Sequence, residues 1–92
     1  PLITNLLITA YITTGHFAAN NHPPVVGTTV AGPRCYPLGT HIHIAGLTND
    51  FIINDRTAKH YDGRIDIFYG EDLAGAKKWG IQKRKVTICL TK

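Results

Sequence analysis

Apolar and polar residues alternate along several short runs of this chain, and long helical periodicity is rare. Over residues 3 to 13, ITNLLITAYIT, the alternation puts Leu6, Ile8, Ala10 and Ile12 on one face and Leu7, Thr9, Tyr11 and Thr13 on the other. That is the period of an extended strand. A short element near Thr28 to Ala31 comes next. Thr40 to Ala45 alternates again, with Ile42 and Ile44 on one side and His41 and His43 on the other. Phe51 to Asn54 predicts a further short strand. In the run Arg64 to Phe68, Ile65 and Ile67 share a face, leaving Asp66 opposite with Arg64 and Phe68. The last strand, Lys85 to Leu90, buries Val86, Ile88 and Leu90 and turns Cys89 the other way.

One segment, Glu71 to Trp79, reads as a helix. Acidic residues stand in its first turn, lysines lie near its end, and Gly80 can terminate it. Leu73, Ala76 and Trp79 fall on one side, so the helix can pack across a sheet. Gly15 to Gly27 is loop-like, rich in Asn and His and containing Pro23 and Pro24. A loop of this length in a small domain is often functional, and here it can wall a cleft. Pro37 and Gly39 mark a turn before the strand at Thr40. About six short strands with one or two short helices predict a mainly beta domain. A closed barrel would leave it no exposed sheet edges.

The chain has 92 residues, which bounds it to one domain, 1–92, with a core over about 6–91. Hydrophobic residues make up 43% and charged residues 17%, a globular balance. Ten basic against six acidic residues give a net charge of +4, which suits an anionic polymer such as nucleic acid or an acidic wall glycan. The densest basic run, Lys77, Lys78, Lys83, Arg84 and Lys85, has no aromatic-interleaved strand or recognition helix beside it, so no nucleic-acid partner is expected. No run approaches the roughly eighteen apolar residues that a membrane span needs. The first residue is Pro1, which suggests a processed or excerpted segment.

The candidate chemistry lies in IINDRTAKHYDGRIDIFYG. Asp55 and Asp66 border its central loop, eleven positions apart. If their strands lie close, the two carboxylates resist simultaneous ionisation, and one can stay protonated as a general acid. The plainer alternative is that Asp55 caps a turn while Asp66 pairs with Arg64, Arg56 or Arg34. Asp62, before Gly63, reads as a turn former. His41, His43 and His60 raise the question of a metal, but no HExxH pattern supports one, so neither metal nor cofactor is expected. The chain contains no serine and hence no GxSxG elbow. Cys35 and Cys89 are either a long-loop disulfide or two separate thiols.

In order along the chain, ITAY (8–11), AGPRCYPLGT (31–40), NDRTAKHYDGRIDIFYG (54–70), AGAKKWG (74–80) and the closing KVTICL resemble the 3D, or three-aspartate, domain. That domain is a small six-stranded double-psi beta barrel found in MltA-type lytic transglycosylases and in small stationary-phase survival proteins. Asp55 and Asp66 match two of the family's three aspartates, with their spacing kept. Gly32 stands where the family has its first aspartate. Arg56 separates Asp55 from Thr57, where the family runs directly from aspartate to threonine and a glycine pair.

The resemblance implies a lytic transglycosylase that cleaves the MurNAc-beta-1,4-GlcNAc bond of peptidoglycan and leaves a 1,6-anhydro-MurNAc end. It implies Asp55 as acid and then base, with Asp66 supporting. Thr29, Lys59 and Tyr69 are expected to meet the sugar, and His41 and His43 to wall the groove. The expected partner is a peptidoglycan glycan strand, the expected state a monomer, and the expected location extracellular or in the cell envelope, phage-borne devices included. The rival expectation is a non-catalytic wall-polysaccharide-binding barrel of the expansin-like kind.

Overall fold

The computed structural model describes residues 2–15 and 17–89. Its strands are β1 (Leu2–Tyr11), β2 (Thr29–Gly32), β3 (His41–Ile44), β4 (Phe51–Arg56), β5 (Ile65–Phe68) and β6 (Gln82–Cys89). A 3-10 turn, Lys59–Tyr61, lies between β4 and β5, and one helix, α1 (Leu73–Trp79), lies between β5 and β6. The six strands close into a barrel in the order β1-β5-β2-β4-β3-β6. β1 and β5 run parallel, as do β2 and β4, and the other neighbours are antiparallel. Exchanging β1 with β4, β2 with β5 and β3 with β6 returns the same neighbours with the same directions. The chain is thus two interleaved halves of three strands, the double-psi arrangement. No repeat in the amino-acid sequence announces this symmetry.

Alternation decides which side chains fill the barrel. Ile8, Val30, Ile42, Ile44, Phe51, Ile53, Ile65, Ile67, Val86 and Ile88 form one buried cluster contributed by all six strands. Each such side chain taken out of water contributes about 1.5–3 kcal/mol relative to exposure. Trp79 closes one end of the barrel. It packs against the core cluster, its indole N–H donates to the Ile8 carbonyl at 2.9 Å, and the Arg84 guanidinium lies 5.0 Å from its ring centroid.

Several boundaries differ from the expectations. The last strand begins at Gln82, three residues before Lys85, because its first half pairs with β1 from Leu6 to Ile8. Its lysines are the outward half of an alternating strand, and Cys89 is exposed as the alternation requires. Leu90 lies outside the described residues. The helix is two residues shorter than expected. Asp72 caps it from outside, its side chain accepting from the Gly75 N–H at 2.9 Å, so no acid stands in the first turn. Leu73 stays 48% exposed, and only Trp79 of the predicted helical stripe reaches the core. Asp55 belongs to β4 and does not open the loop.

Candidate functional site

Strand register builds the site. Along β5, Ile65 and Ile67 are buried inside, so Asp66 points outward, as the alternation predicts. Its partner on β1 is Thr9 and its partner on β2 is Ala31. Ala31 in turn pairs with Asp55 on β4. One cross-strand row therefore runs Asp55, Ala31, Asp66, Thr9 on the outer wall of the barrel.

Asp55 reaches this row through a β-bulge. Val30 pairs with Ile53, yet the next residue, Ala31, pairs with Asp55, so Asn54 is left without a β2 partner. Uninterrupted alternation would put Asp55 on the inner face with Ile53. The extra residue turns it to the face of Asp66. The carbonyl freed at Asn54 accepts from the Asn20 N–H at 3.0 Å, and Asp55 Oδ1 accepts from the Ala19 N–H at 3.0 Å. Bulge and carboxylate together pin the segment between β1 and β2 against the site. That segment is the loop expected to wall a cleft.

The two carboxyl groups have unlike surroundings. Tyr11 Oη donates to Asp55 Oδ2 at 3.2 Å, and the Arg56 N–H donates to Asp55 Oδ1 at 2.9 Å, so with Ala19 three donors converge on Asp55. Burial raises the tyrosine pKa well above its usual value, followed by the charge and hydrogen bond of Asp55 and the charge of Asp66. Tyr11 therefore stays a proton donor and feels both carboxylates. Its ring packs on Phe68, with centroids 5.3 Å apart.

Asp66 Oδ1 faces the Thr9 hydroxyl at 2.7 Å, and that hydroxyl also lies 3.3 Å from the Ile65 carbonyl. Burial raises the Asp66 pKa. The Thr9 hydrogen bond and the charge of Arg64 oppose the shift, while the charge of Asp55 adds to it. Thr9 has one proton for two acceptors. The shorter contact decides it: the Thr9 hydroxyl donates to Asp66 Oδ1, and the Ile65 carbonyl is the weaker, shared acceptor. Burial outweighs the opposing effects, so Asp66 holds its proton more tightly than a free aspartate does.

The departures at Gly32 and Arg56 meet in space, since these two residues are register partners on β2 and β4. Gly32 is buried, and a Cβ there would lie 2.9 Å from Ile53 Cδ1 and Cγ2, so an aspartate has no room without moving the core. Arg56 Nη1 donates to the carbonyls of Pro33 at 2.6 Å and Tyr36 at 2.7 Å. The arginine side chain thereby braces the turn that follows Gly32. Thr57 is buried, and its Oγ1 has no hydrogen-bond partner among the described residues.

The other expected residues scatter. Thr29 is 1% exposed, and its hydroxyl accepts from the Val25 N–H at 2.8 Å, so it holds the 25–29 turn and does not face a ligand. Lys59 sits exposed in the 3-10 turn beyond β4. Tyr69 lines a cavity of about 170 Å³ with Phe68, Val26 and Trp79 at the helix end of the barrel. His41 and His43 border a different hollow, with Asp50 and Cys89. None of these five is in the Asp55–Asp66 row. Cys35 and Cys89 are both free and exposed. Among the described residues no three His, Cys, Asp or Glu side chains gather as a metal-binding group, and no helix is long and apolar enough to cross a membrane.

Sequence reasoning missed Tyr11 and Thr9. Their signal was faint: both lie on the less apolar face of the first strand, two positions apart. No family model, curated protein or solved structure matches the chain. It is a small, mainly beta domain with a closed six-stranded barrel. That fold is shared by carbohydrate-binding and enzymatic proteins alike, so the functional argument rests on the side chains.

Proposed function

We propose that this barrel is a peptidoglycan lytic transglycosylase working at the Asp66–Asp55 row. The observation that carries the reading is that two carboxyl groups, one with its pKa raised and one accepting three hydrogen bonds, share a face and a common neighbour in Tyr11. The choice of substrate rests on the ordered segments that resemble the 3D domain. In this proposal Asp66 takes the acid role that the resemblance assigned to Asp55. Protonated Asp66 donates to the glycosidic oxygen as the bond to C1 breaks. The resulting carboxylate takes the proton of the C6 hydroxyl as O6 attacks C1, closing the 1,6-anhydro ring. Asp55 supplies negative charge toward the anomeric carbon, where positive charge develops. No glycosyl-enzyme bond is needed, in contrast to retaining hydrolysis. Such a substrate puts the working protein in the cell envelope or outside the cell.

The second reading, a wall-glycan-binding module, is favoured by the way Tyr11, Ala19 and Arg56 occupy Asp55 and by the closed position at Gly32. Digestion of purified peptidoglycan, with the soluble products read by mass, separates the two. Anhydro-muropeptides released by the parent and reduced at least about a hundredfold in Asp66→Asn support the enzyme. Products with ordinary reducing ends would replace transglycosylation by hydrolysis. Sedimentation with peptidoglycan and no release from it would leave the binding module.

A further inference from the structure

On the opposite wall of the barrel, the β3–β6 register sets His41 directly across from Cys89. Directly opposed residues on antiparallel strands project from the same face, with Cβ atoms about 4.5–5.5 Å apart. His41 Nδ1 lies 3.0 and 3.2 Å from the two carboxylate oxygens of Asp50. All three residues line one open hollow of about 200 Å³, together with Thr48 and Asn49. Asp50 therefore favours the tautomer with the proton on Nδ1 and leaves the Nε2 lone pair free. The movement the site requires is a turn of the Cys89 side chain toward Nε2, which leaves the His41–Asp50 contact in place. Three features coincide here: an exposed thiol, a base on the facing strand, and a carboxylate that orients the base. The other exposed cysteine, Cys35, lies in the turn after β2, and among the described residues no histidine or carboxylate hydrogen bond accompanies it.

We propose that Cys89, His41 and Asp50 form a reactive-thiol site that takes low-molecular-weight organic disulfides from solution. His41 Nε2 accepts the Cys89 proton, and the thiolate attacks one sulfur of the disulfide. A Cys89 mixed disulfide forms as the reagent's S–S bond breaks. The departing thiolate takes the proton from the imidazolium, so sulfur oxidation states balance and no further oxidant is needed. His41 is the base. Asp50 is a positioning residue that acts through His41. The site is independent of the carboxylate row, since none of its residues touches Asp55, Asp66 or Tyr11.

The test incubates the full chain with oxidised glutathione, quenches with acid at intervals, and measures occupancy of Cys89 and Cys35 by peptide mass. Cys89 is expected to react at least about tenfold faster than Cys35. His41→Ala should bring Cys89 down to the rate of Cys35. Asp50→Asn should slow Cys89 and Asp50→Glu should restore it, while the Cys35 rate stays fixed in every variant. Equal rates for the two cysteines in the parent protein overturn the proposal without any variant. So does an undiminished Cys89 rate in His41→Ala. His41 and Asp50 stand on the outer wall, and an unchanged circular dichroism spectrum in each variant reports that the fold persists.

Discussion

The two parallel strand pairs of this barrel are equivalent by topology and unequal in detail. β1–β5 is regular, with Ile8 opposite Ile65 and Thr9 opposite Asp66. β2–β4 begins the same way, with Val30 opposite Ile53, and then skips Asn54 to put Asp55 opposite Ala31. Regular pairing seats an aspartate by alternation alone, half-buried against a threonine hydroxyl. Bulged pairing takes an aspartate that alternation would send into the core and delivers it to the outer face, where two backbone N–H groups and a tyrosine hold it. Two routes thus lead to one face, and the carboxyl groups arrive in different surroundings. Their unlike hydrogen-bond partners follow from how each strand was registered.

The sharpest way to break that comparison is to remove the bulge. Inserting one alanine between Val30 and Ala31 gives Asn54 a β2 partner, makes β2–β4 regular and sends the Asp55 side chain inward beside Ile53, where an unpaired carboxylate is costly. The loss should be about 4 kcal/mol or more, enough to unfold much of a domain this small, as urea titration followed by circular dichroism would show. An insertion variant with the stability of the parent would mean that the bulge does not set the face of Asp55.

Restoring an acid at the first family position comes next. Gly32→Asp pushes a side chain against Ile53 and should cost about 2–3 kcal/mol in the same titration. Gly32→Ala should lose less, because Ile53 can yield by a side-chain shift. Equal, negligible losses would show that the barrel has room there.

Smaller effects separate the two carboxylates. Tyr11→Phe removes one donor from Asp55 and Thr9→Val removes the hydroxyl facing Asp66, each at about 1 kcal/mol. The two substitutions should add, since they address different acids. A large coupling in the double variant would show that the row acts as one unit.

Smallest is the pH effect. The Asp66 pKa is raised by burial, so the native state binds this proton more tightly than the unfolded chain does. The resulting stability is fully present below the ordinary aspartate pKa, about 3.9, and is lost as pH rises through the higher native value. Asp66→Asn should therefore match the parent near the acid end and gain on it toward neutrality. Parallel melting-temperature curves across that range would contradict a proton held at Asp66.

How much of this could be read from the chain follows the same division. Wherever alternation is uninterrupted the sequence was legible: Asp66 outward between Ile65 and Ile67, Cys89 outward beyond Ile88, and His41 and His43 on one face. The helix was legible through Gly80, although Asp72 serves as its cap and not as a first-turn acid. The face of Asp55 was not legible, because a bulge is a property of two strands and the sequence of one strand does not display it. Nor was the role of Tyr11, whose hydroxyl finds Asp55 forty-four positions away. Thr29 misled for a related reason. A threonine near a cleft and a threonine that ties a turn look identical until the Val25 N–H is seen to take its hydroxyl.

The interleaving of the two halves bears on how the chain is made. Of the six neighbouring pairs around the barrel, only β3–β4 joins strands that are consecutive along the chain. A ribosome that has released the first half has therefore produced three strands with no partners among themselves. The barrel can begin only once β4 emerges, and it cannot close before β6, the last strand, is free. Such a chain should assemble slowly, on a scale of about milliseconds to seconds, as folds dominated by distant pairings do. A fragment ending before residue 50 should have no sheet of its own to keep.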